Sequence, residues 1–73
     1  MAQNREQAKE KIISEFETMK SFELSAHELY TRIANDPGLD EQKVRNTFAR
    51  LAADEKRHAG LVQEIIDIAN DAL

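Results

Sequence analysis

A single cluster of helix-breaking residues constrains the fold more than any other feature of this sequence. Gly and Pro are the residues that most often interrupt helices, and apart from one glycine all of them lie in the segment Asn35–Asp40. On both sides of this segment Glu, Lys, Gln, Ala and Leu dominate, which is typical of helices. The sequence therefore predicts a helix over about 4–35, a turn over 36–40 and a second helix over about 40–72.

Two local features near these boundaries leave alternatives open. Asp36 and Asp40 both qualify as the N-cap of the second helix, since Pro37 after Asp36 favours a first helical position. Gly60 lies inside the second helix, where a glycine is tolerated, and a close contact between helices is one reason for it.

Both predicted helices carry a heptad-like apolar stripe that a few polar residues interrupt. In the first segment a carboxylate interrupts the stripe, and in the second a carboxylate and an imidazole do so. Neighbouring apolar residues widen each stripe into a face suited to a helix bundle rather than to a narrow coiled coil. The stripe positions are Ile12, Phe16, Met19, Glu23, Ala26, Tyr30 and Ile33, then Val44, Phe48, Leu51, Glu55, His58, Val62, Ile65 and Ala69.

The polar interruptions fall at the same height of the predicted hairpin. Glu23 and Glu55 are each sixteen residues from Leu39 at the end of the turn, which corresponds to about 24 Å along either helix. His58 follows Glu55 by three residues and projects from the same face about one turn further on. The hairpin is therefore predicted to gather Glu23, Glu55 and His58 into one polar layer.

Composition and charge exclude several classes of protein. Without cysteine the chain cannot form a disulfide, an iron-sulfur cluster or a cysteine-ligated zinc site. A net charge of -4 with ten scattered Lys and Arg residues argues against nucleic acid as a partner. Because apolar runs reach only two or three residues, we expect no membrane segment and no secretory signal, and a cytoplasmic location.

One antiparallel hairpin cannot bury both of its apolar faces, so we predict a homodimer that forms a four-helix bundle. Residues 1–73 would be a single half-bundle domain. Two copies of Glu23, Glu55 and His58 supply four Glu and two His, the ligand set of carboxylate-bridged di-iron bundles. The alternative is a non-catalytic oligomerisation module in which the polar layer only fixes the register of the helices. Neither stripe contains a cation, and an unpaired buried carboxylate is costly, which favours a bound metal.

The sequence resembles the ferritin-like superfamily and its rubrerythrin branch over roughly residues 16–66. The residues that carry the resemblance are Glu23-x-x-Ala26-x-x-x-Tyr30 in the first helix and Phe48-x-x-Leu51-Ala52-x-Asp54-Glu55-x-x-His58-Ala59 in the second. Most members repeat such a hairpin twice in one chain. A single copy is closer to the two-helix encapsulated ferritin-like proteins, whose site is completed between subunits.

This resemblance implies a function and roles for individual residues. Glu23, Glu55 and His58 would be iron ligands, with one iron per chain, and Tyr30 would donate a hydrogen bond to a ligand carboxylate. The implied activity is that of a ferroxidase, which oxidises Fe(II) to Fe(III) with oxygen or peroxide in iron handling or oxidative-stress protection. Manganese is a second metal that this ligand set accommodates. Dimers could assemble into a larger ring, inside a shell protein that forms a nanocompartment.

Three other features have weaker functional interpretations. His27 lies beside the stripe and could contact a metal transiently, although a histidine on a helix surface is more often solvated. Tyr30 could equally be a core tyrosine with its hydroxyl at the rim. Four apolar residues that lie partly outside the second stripe predict either a further interface or a broad core face: Leu61, Ile65, Ile68 and Ala72.

Overall fold

Two long helices make up almost all of the structure. The computed structural model describes the backbone of residues 2–72 and the side chains of residues 4–72. Helix α1 spans Ala2–Ala34 and helix α2 spans Gln42–Ala72, and they pack along their length as a hairpin of 58 × 14 × 11 Å. The predicted all-α hairpin is confirmed. Within the described part of the chain, neither helix has a stretch long and apolar enough to cross a membrane.

The turn between the helices differs in detail from the prediction. Asp36 does not cap α2, because its carboxylate accepts a hydrogen bond of 2.8 Å from the backbone N–H of Gly38 within the turn. Asp40 lies before the cap as well. The carboxylate of Glu41 accepts a 2.9 Å hydrogen bond from the Lys43 N–H, and α2 begins at Gln42. The first N–H groups of a helix have no partner within the helix, and a side chain two residues before such a group is well placed to accept its hydrogen bond. Glu41 stands in this position relative to Lys43 and therefore caps α2.

Hydrogen bonds between the helices establish the register of the hairpin. The Arg45 guanidinium donates to the carbonyl oxygen of Ala34 at 3.1 Å, and His27 Nδ1 lies 2.8 Å from the carbonyl oxygen of Ala52. Arg5 near the other end bonds the Ala72 carbonyl oxygen. These partners lie at nearly equal separations from Leu39 along the two helices, as the counting argument from the sequence requires.

The core inside one hairpin is thin. All five buried hydrophobic residues of the described chain belong to α2, and three of them are alanines: Ala52, Ala59, Val62, Ile66 and Ala69. The predicted stripe of α2 is therefore divided. Its positions near Ala52 and Ile66 contact α1, whereas Leu51 and Ile65 remain 38% and 41% exposed.

The surface area of the hairpin shows the same deficit of burial. The chain has an accessible surface of 5572 Å², whereas a compact monomer of 8.3 kDa would have roughly 4,600 Å². The excess of roughly 1,000 Å² is comparable with the area of about 800 Å² that each partner buries in an ordinary protein interface. A single hairpin of this length and width therefore exposes more surface than a compact monomer of the same mass.

Gly60 does not mark a close contact within the hairpin. A Cβ atom added at this position would meet nothing within 4 Å, and the residue is exposed. A close contact between α1 and α2 is therefore not the reason for a glycine at position 60.

Candidate metal centre

The hairpin has two broad sides, which differ in the residues that they present. Successive residues of a helix are rotated by about 100°, and this rotation places a group of exposed large apolar residues from both helices on one side of the plane that contains the two axes. We call this side the metal face. Its exposed large apolar residues are Met19, Phe22, Leu29, Val44, Leu51 and Ile65.

Glu23, Glu55 and His58 come together at this face. One ligand atom from each of the three side chains can be chosen such that all three lie within 4.8 Å of one another. The two glutamates are half-buried, and the His58 side chain is 45% exposed. The structure thus brings together the three residues that the sequence places at one height, and the group opens toward the metal face rather than into the hairpin.

One carboxylate oxygen of this group has no partner. Glu23 Oε2 is buried and forms no hydrogen bond among the described residues. His58 Nδ1 is the nearest basic atom at 3.7 Å, a separation that is too long for a hydrogen bond. A buried hydrogen-bond acceptor without a partner generally lowers the stability of the folded state by about 1–3 kcal/mol. The unpartnered Glu23 oxygen is therefore unfavourable in the hairpin alone.

The pKa of Glu55 is raised above its ordinary value of 4.5. The largest cause is a hydrogen bond between its carboxyl and that of Glu23, which requires a proton on one of them. Partial desolvation and the negative charge of Glu23 add to the effect, and the nearby His58 opposes it. A cation bound between the two carboxyl groups would counter the repulsion that helps to raise this pKa.

Tyr30 lies two helical turns from Glu23 and packs against an aromatic ring of α2. Its ring centroid is 6.0 Å from that of Phe48, with the planes tilted by 44°. Within the described hairpin, the Tyr30 hydroxyl forms no hydrogen bond with either carboxylate. The role of Tyr30 toward the ligands stays a prediction.

His27 lies on the opposite side of the hairpin from His58. Its ring is partly buried, and Nδ1 donates to the Ala52 carbonyl oxygen, so the ring fastens the two helices together. It is neither a member of the Glu23, Glu55 and His58 group nor a freely solvated side chain. The sequence offered one usable signal for this contact, since His27 and Ala52 are almost equally distant from Leu39.

The donor set fits a hard divalent cation. Two facing carboxylates and one imidazole are ligands that iron and manganese accept, and the unpartnered Glu23 Oε2 is the observation that a bound cation would explain. Three protein ligands alone leave a metal with open positions. The exposure of His58 shows that those positions face outward, toward whatever covers the metal face.

Fold and site together define an antiparallel helical hairpin with a group of two carboxylates and one imidazole that could hold a metal ion. The family model described as Rubrerythrin matches residues 19–73, which is most of the chain, and the chain belongs to that family. The match includes all three residues of the site. Neither the curated proteins nor the solved structures gave a significant match. Membership of this family suggests a di-iron protein with an iron-binding or oxidoreductase role.

Proposed function

We propose that the protein is a ferroxidase whose site is completed when two hairpins pair through their metal faces. Each copy would contribute Glu23, Glu55 and His58, so that two Fe(II) ions bind between the subunits. The group of two carboxylates and one imidazole with an unpartnered buried oxygen carries this proposal.

The metal face supports the pairing with a second copy. Phe22, the next residue to Glu23, is 69% exposed, and Leu51, one turn before Glu55, is 38% exposed. Apolar side chains that surround a half-complete ligand group are favourable only if another apolar surface covers them. A twofold pair places this surface against its own copy and brings the two ligand groups to one level.

The residues of the chain have distinct tasks in this reaction. Glu23 and Glu55 would hold the cations through their carboxylate oxygens, and His58 would supply one nitrogen ligand per subunit. A cation that enters the group would compete with protonation of Glu55, whose pKa is raised. The apolar side chains of the metal face exclude water from the pair of sites.

A pair of ferrous ions can transfer two electrons together to one oxygen or peroxide molecule, which avoids a one-electron oxygen radical. With peroxide as oxidant, two Fe(II) and two protons yield two Fe(III) and two water molecules. Residues 1–73 contain no cysteine, so these residues supply no rubredoxin-like iron site as an electron donor for repeated peroxide reduction. Manganese in place of iron, a larger ring of dimers and a surrounding shell protein remain predictions from the sequence.

An anaerobic Fe(II) titration with parallel measurement of native mass tests the proposal. We expect saturation near one iron per chain in a dimer or a multiple of it, and rapid formation of ferric absorbance when air is admitted. Glu55→Ala and His58→Ala should abolish stoichiometric binding, because each removes a ligand from both sites of the pair.

The chain offers matched controls for both substitutions. Glu64→Ala removes an exposed glutamate of the same helix, and His27→Ala removes the histidine of the opposite side, and both should retain the iron stoichiometry. A folded dimer that takes up no iron would refute the proposal and would favour the non-catalytic module. The proposal would also be contradicted if Glu64→Ala lost as much iron as Glu55→Ala, or if His27→Ala lost as much iron as His58→Ala.

A further inference from the structure

The side of the hairpin opposite the metal face holds an open groove between the helices. This groove face lies near the turn, and the groove has a volume of about 510 Å³. Alanines form its floor, and polar and basic side chains line its walls. The lining includes His27, Arg45, Asn46, Ala49, Ala52 and Lys56.

The charge of this groove is opposite to that of the molecule. The chain has fourteen acidic residues and a net charge of -4, yet no acidic residue belongs to the lining of the groove. Glu28 lies at the rim of the groove beside His27, and the basic residue Arg32 lies at the same part of the rim. Within residues 4–72 neither Arg45 nor Lys56 takes part in an ion pair. The groove is therefore a local basic site on an acidic protein.

Hydrogen bonds across the helices fix the walls of the groove. Arg45 Nε donates to the Ala34 carbonyl oxygen at 3.1 Å, which holds the guanidinium in place and leaves its terminal nitrogens available. His27 is held through Nδ1 by the Ala52 carbonyl oxygen, so Nε2 is available to the groove. Side chains that are already ordered lose less entropy when a ligand binds.

The spacing of the two cations indicates the shape of the ligand. Arg45 and Lys56 are eleven residues apart on α2, which separates their Cα atoms by about 16 Å along the helix axis. A single phosphate or carboxylate group is too small to contact both ends. An extended peptide advances about 3.3 Å per residue, so two acidic residues about five positions apart match this separation.

We propose that the groove binds an extended acidic peptide segment of another protein, with one carboxylate at Arg45 and a second at Lys56. The alanine floor lets the backbone of the peptide approach closely, and the amide of Asn46 can bond it. The groove and the metal group lie on opposite sides of the hairpin, so pairing through the metal face leaves the groove open. The proposal does not depend on iron binding.

Fluorescence anisotropy with synthetic peptides tests this inference. The probe is a labelled peptide with two glutamates five positions apart in an otherwise uncharged sequence, and the comparison peptide has the two glutamates adjacent. We expect tighter binding of the spaced peptide, to iron-free and iron-loaded protein alike. The affinity should fall as salt is added, because the contacts are between charges at the surface.

Substitution of Ala49 separates charge from shape. Ala49 is exposed and lies in the groove between Arg45 and Lys56, and both glutamate and lysine are good helix formers at such a position. Ala49→Glu should weaken binding of the spaced peptide by roughly fivefold and Ala49→Lys should strengthen it by a similar factor. Lys43→Glu, on the far side of α2, should change binding much less than Lys56→Glu does.

Several results would overturn the inference. Equal affinity for the two peptides would show that only net charge matters, and equal behaviour of the two Ala49 variants would place the peptide elsewhere. Complete competition by inorganic phosphate at matched total charge would identify a site for a small oxyanion instead. A third peptide carries lysine in place of the second glutamate. If the contact with Lys56 is correct, Lys56→Glu should bind this peptide better than it binds the original one. The opposite order would refute the assigned contact.

Discussion

The two sides of this hairpin differ in whether their polar groups are satisfied. On the groove face, His27 and Arg45 reach across to the facing helix and form hydrogen bonds there. On the metal face, a buried oxygen of Glu23 has no hydrogen bond and large apolar side chains are exposed. The same two helices thus form one side that is complete in a single chain and one that requires further contacts. The proposed iron binding and the proposed pairing both rest on the unsatisfied side.

The largest expected effect is the loss of pairing when the metal face receives a charge. Leu51→Asp places a carboxylate where two copies should meet, and Leu24→Asp places one outside that face, although the parent leucines are 38% and 40% exposed. Burial of an unpaired charge costs several kcal/mol, so Leu51→Asp should weaken the dimer at least about a hundredfold. Leu24→Asp should leave the dimer intact.

Sedimentation equilibrium of both variants at several protein concentrations measures this difference. Iron uptake should disappear together with the dimer in Leu51→Asp and persist in Leu24→Asp. If the two variants had the same mass at every concentration, the assignment of the metal face as the pairing surface would be wrong.

A smaller effect is expected on the side that is already complete. Gly60 is exposed, and the space that a Cβ atom would occupy there is free of neighbouring atoms. Alanine is about 0.5–1 kcal/mol more favourable than glycine inside a helix. Gly60→Ala should therefore raise the melting temperature by several degrees, as monitored by circular dichroism. A decrease would show that a second copy approaches the hairpin at Gly60 and would extend the pairing surface beyond the metal face.

The smallest expected effect is a pH dependence of the iron-free protein. Since the folded state raises the pKa of Glu55 above 4.5, the folded chain binds its proton more tightly than the unfolded chain does. This contribution to stability is complete below the ordinary pKa and is lost as the pH rises through the raised value. Stability of iron-free protein should therefore decline over this window in the wild type, and less in Glu55→Gln.

Thermal melts at a series of pH values between the ordinary and the raised pKa measure this trend. Apparent iron affinity should change in the opposite direction, because iron must displace the same proton. A wild type whose stability rose with pH as Glu55 ionised would contradict the raised pKa of Glu55.

Much of this architecture follows from the sequence because distance along a helix is proportional to residue number. Counting from Leu39 placed Glu23 opposite Glu55, and the structure brings these residues together with His58. The same counting could not show which apolar residues of the stripe contact the other helix of the hairpin and which remain exposed for contact with a proposed second copy. Leu51 and Ala52 are both apolar, and only the packing of α1 shows that Ala52 is the buried one.

Local competition between side chains explains the other differences. Asp36, Asp40 and Glu41 can all accept a hydrogen bond from a backbone N–H, and the path of the turn decides which of them caps α2. Counting from Leu39 places His27 beside Ala52, but it does not show that the ring bonds the Ala52 carbonyl oxygen, because that carbonyl already has a partner within its own helix. Such additional bonds depend on the distance between the helix axes, which residue spacing does not encode.

The half-complete ligand group has a thermodynamic consequence if each chain supplies one half of a shared site. Iron then binds the pair of hairpins better than it binds either one, and reciprocity requires that it increases their affinity for each other by the same factor. The fraction of assembled protein becomes a function of the free ferrous concentration. The unpartnered oxygen of Glu23 would thereby make the monomer–dimer equilibrium depend on available iron. Scarce iron would favour separate chains, and abundant iron would favour the pair.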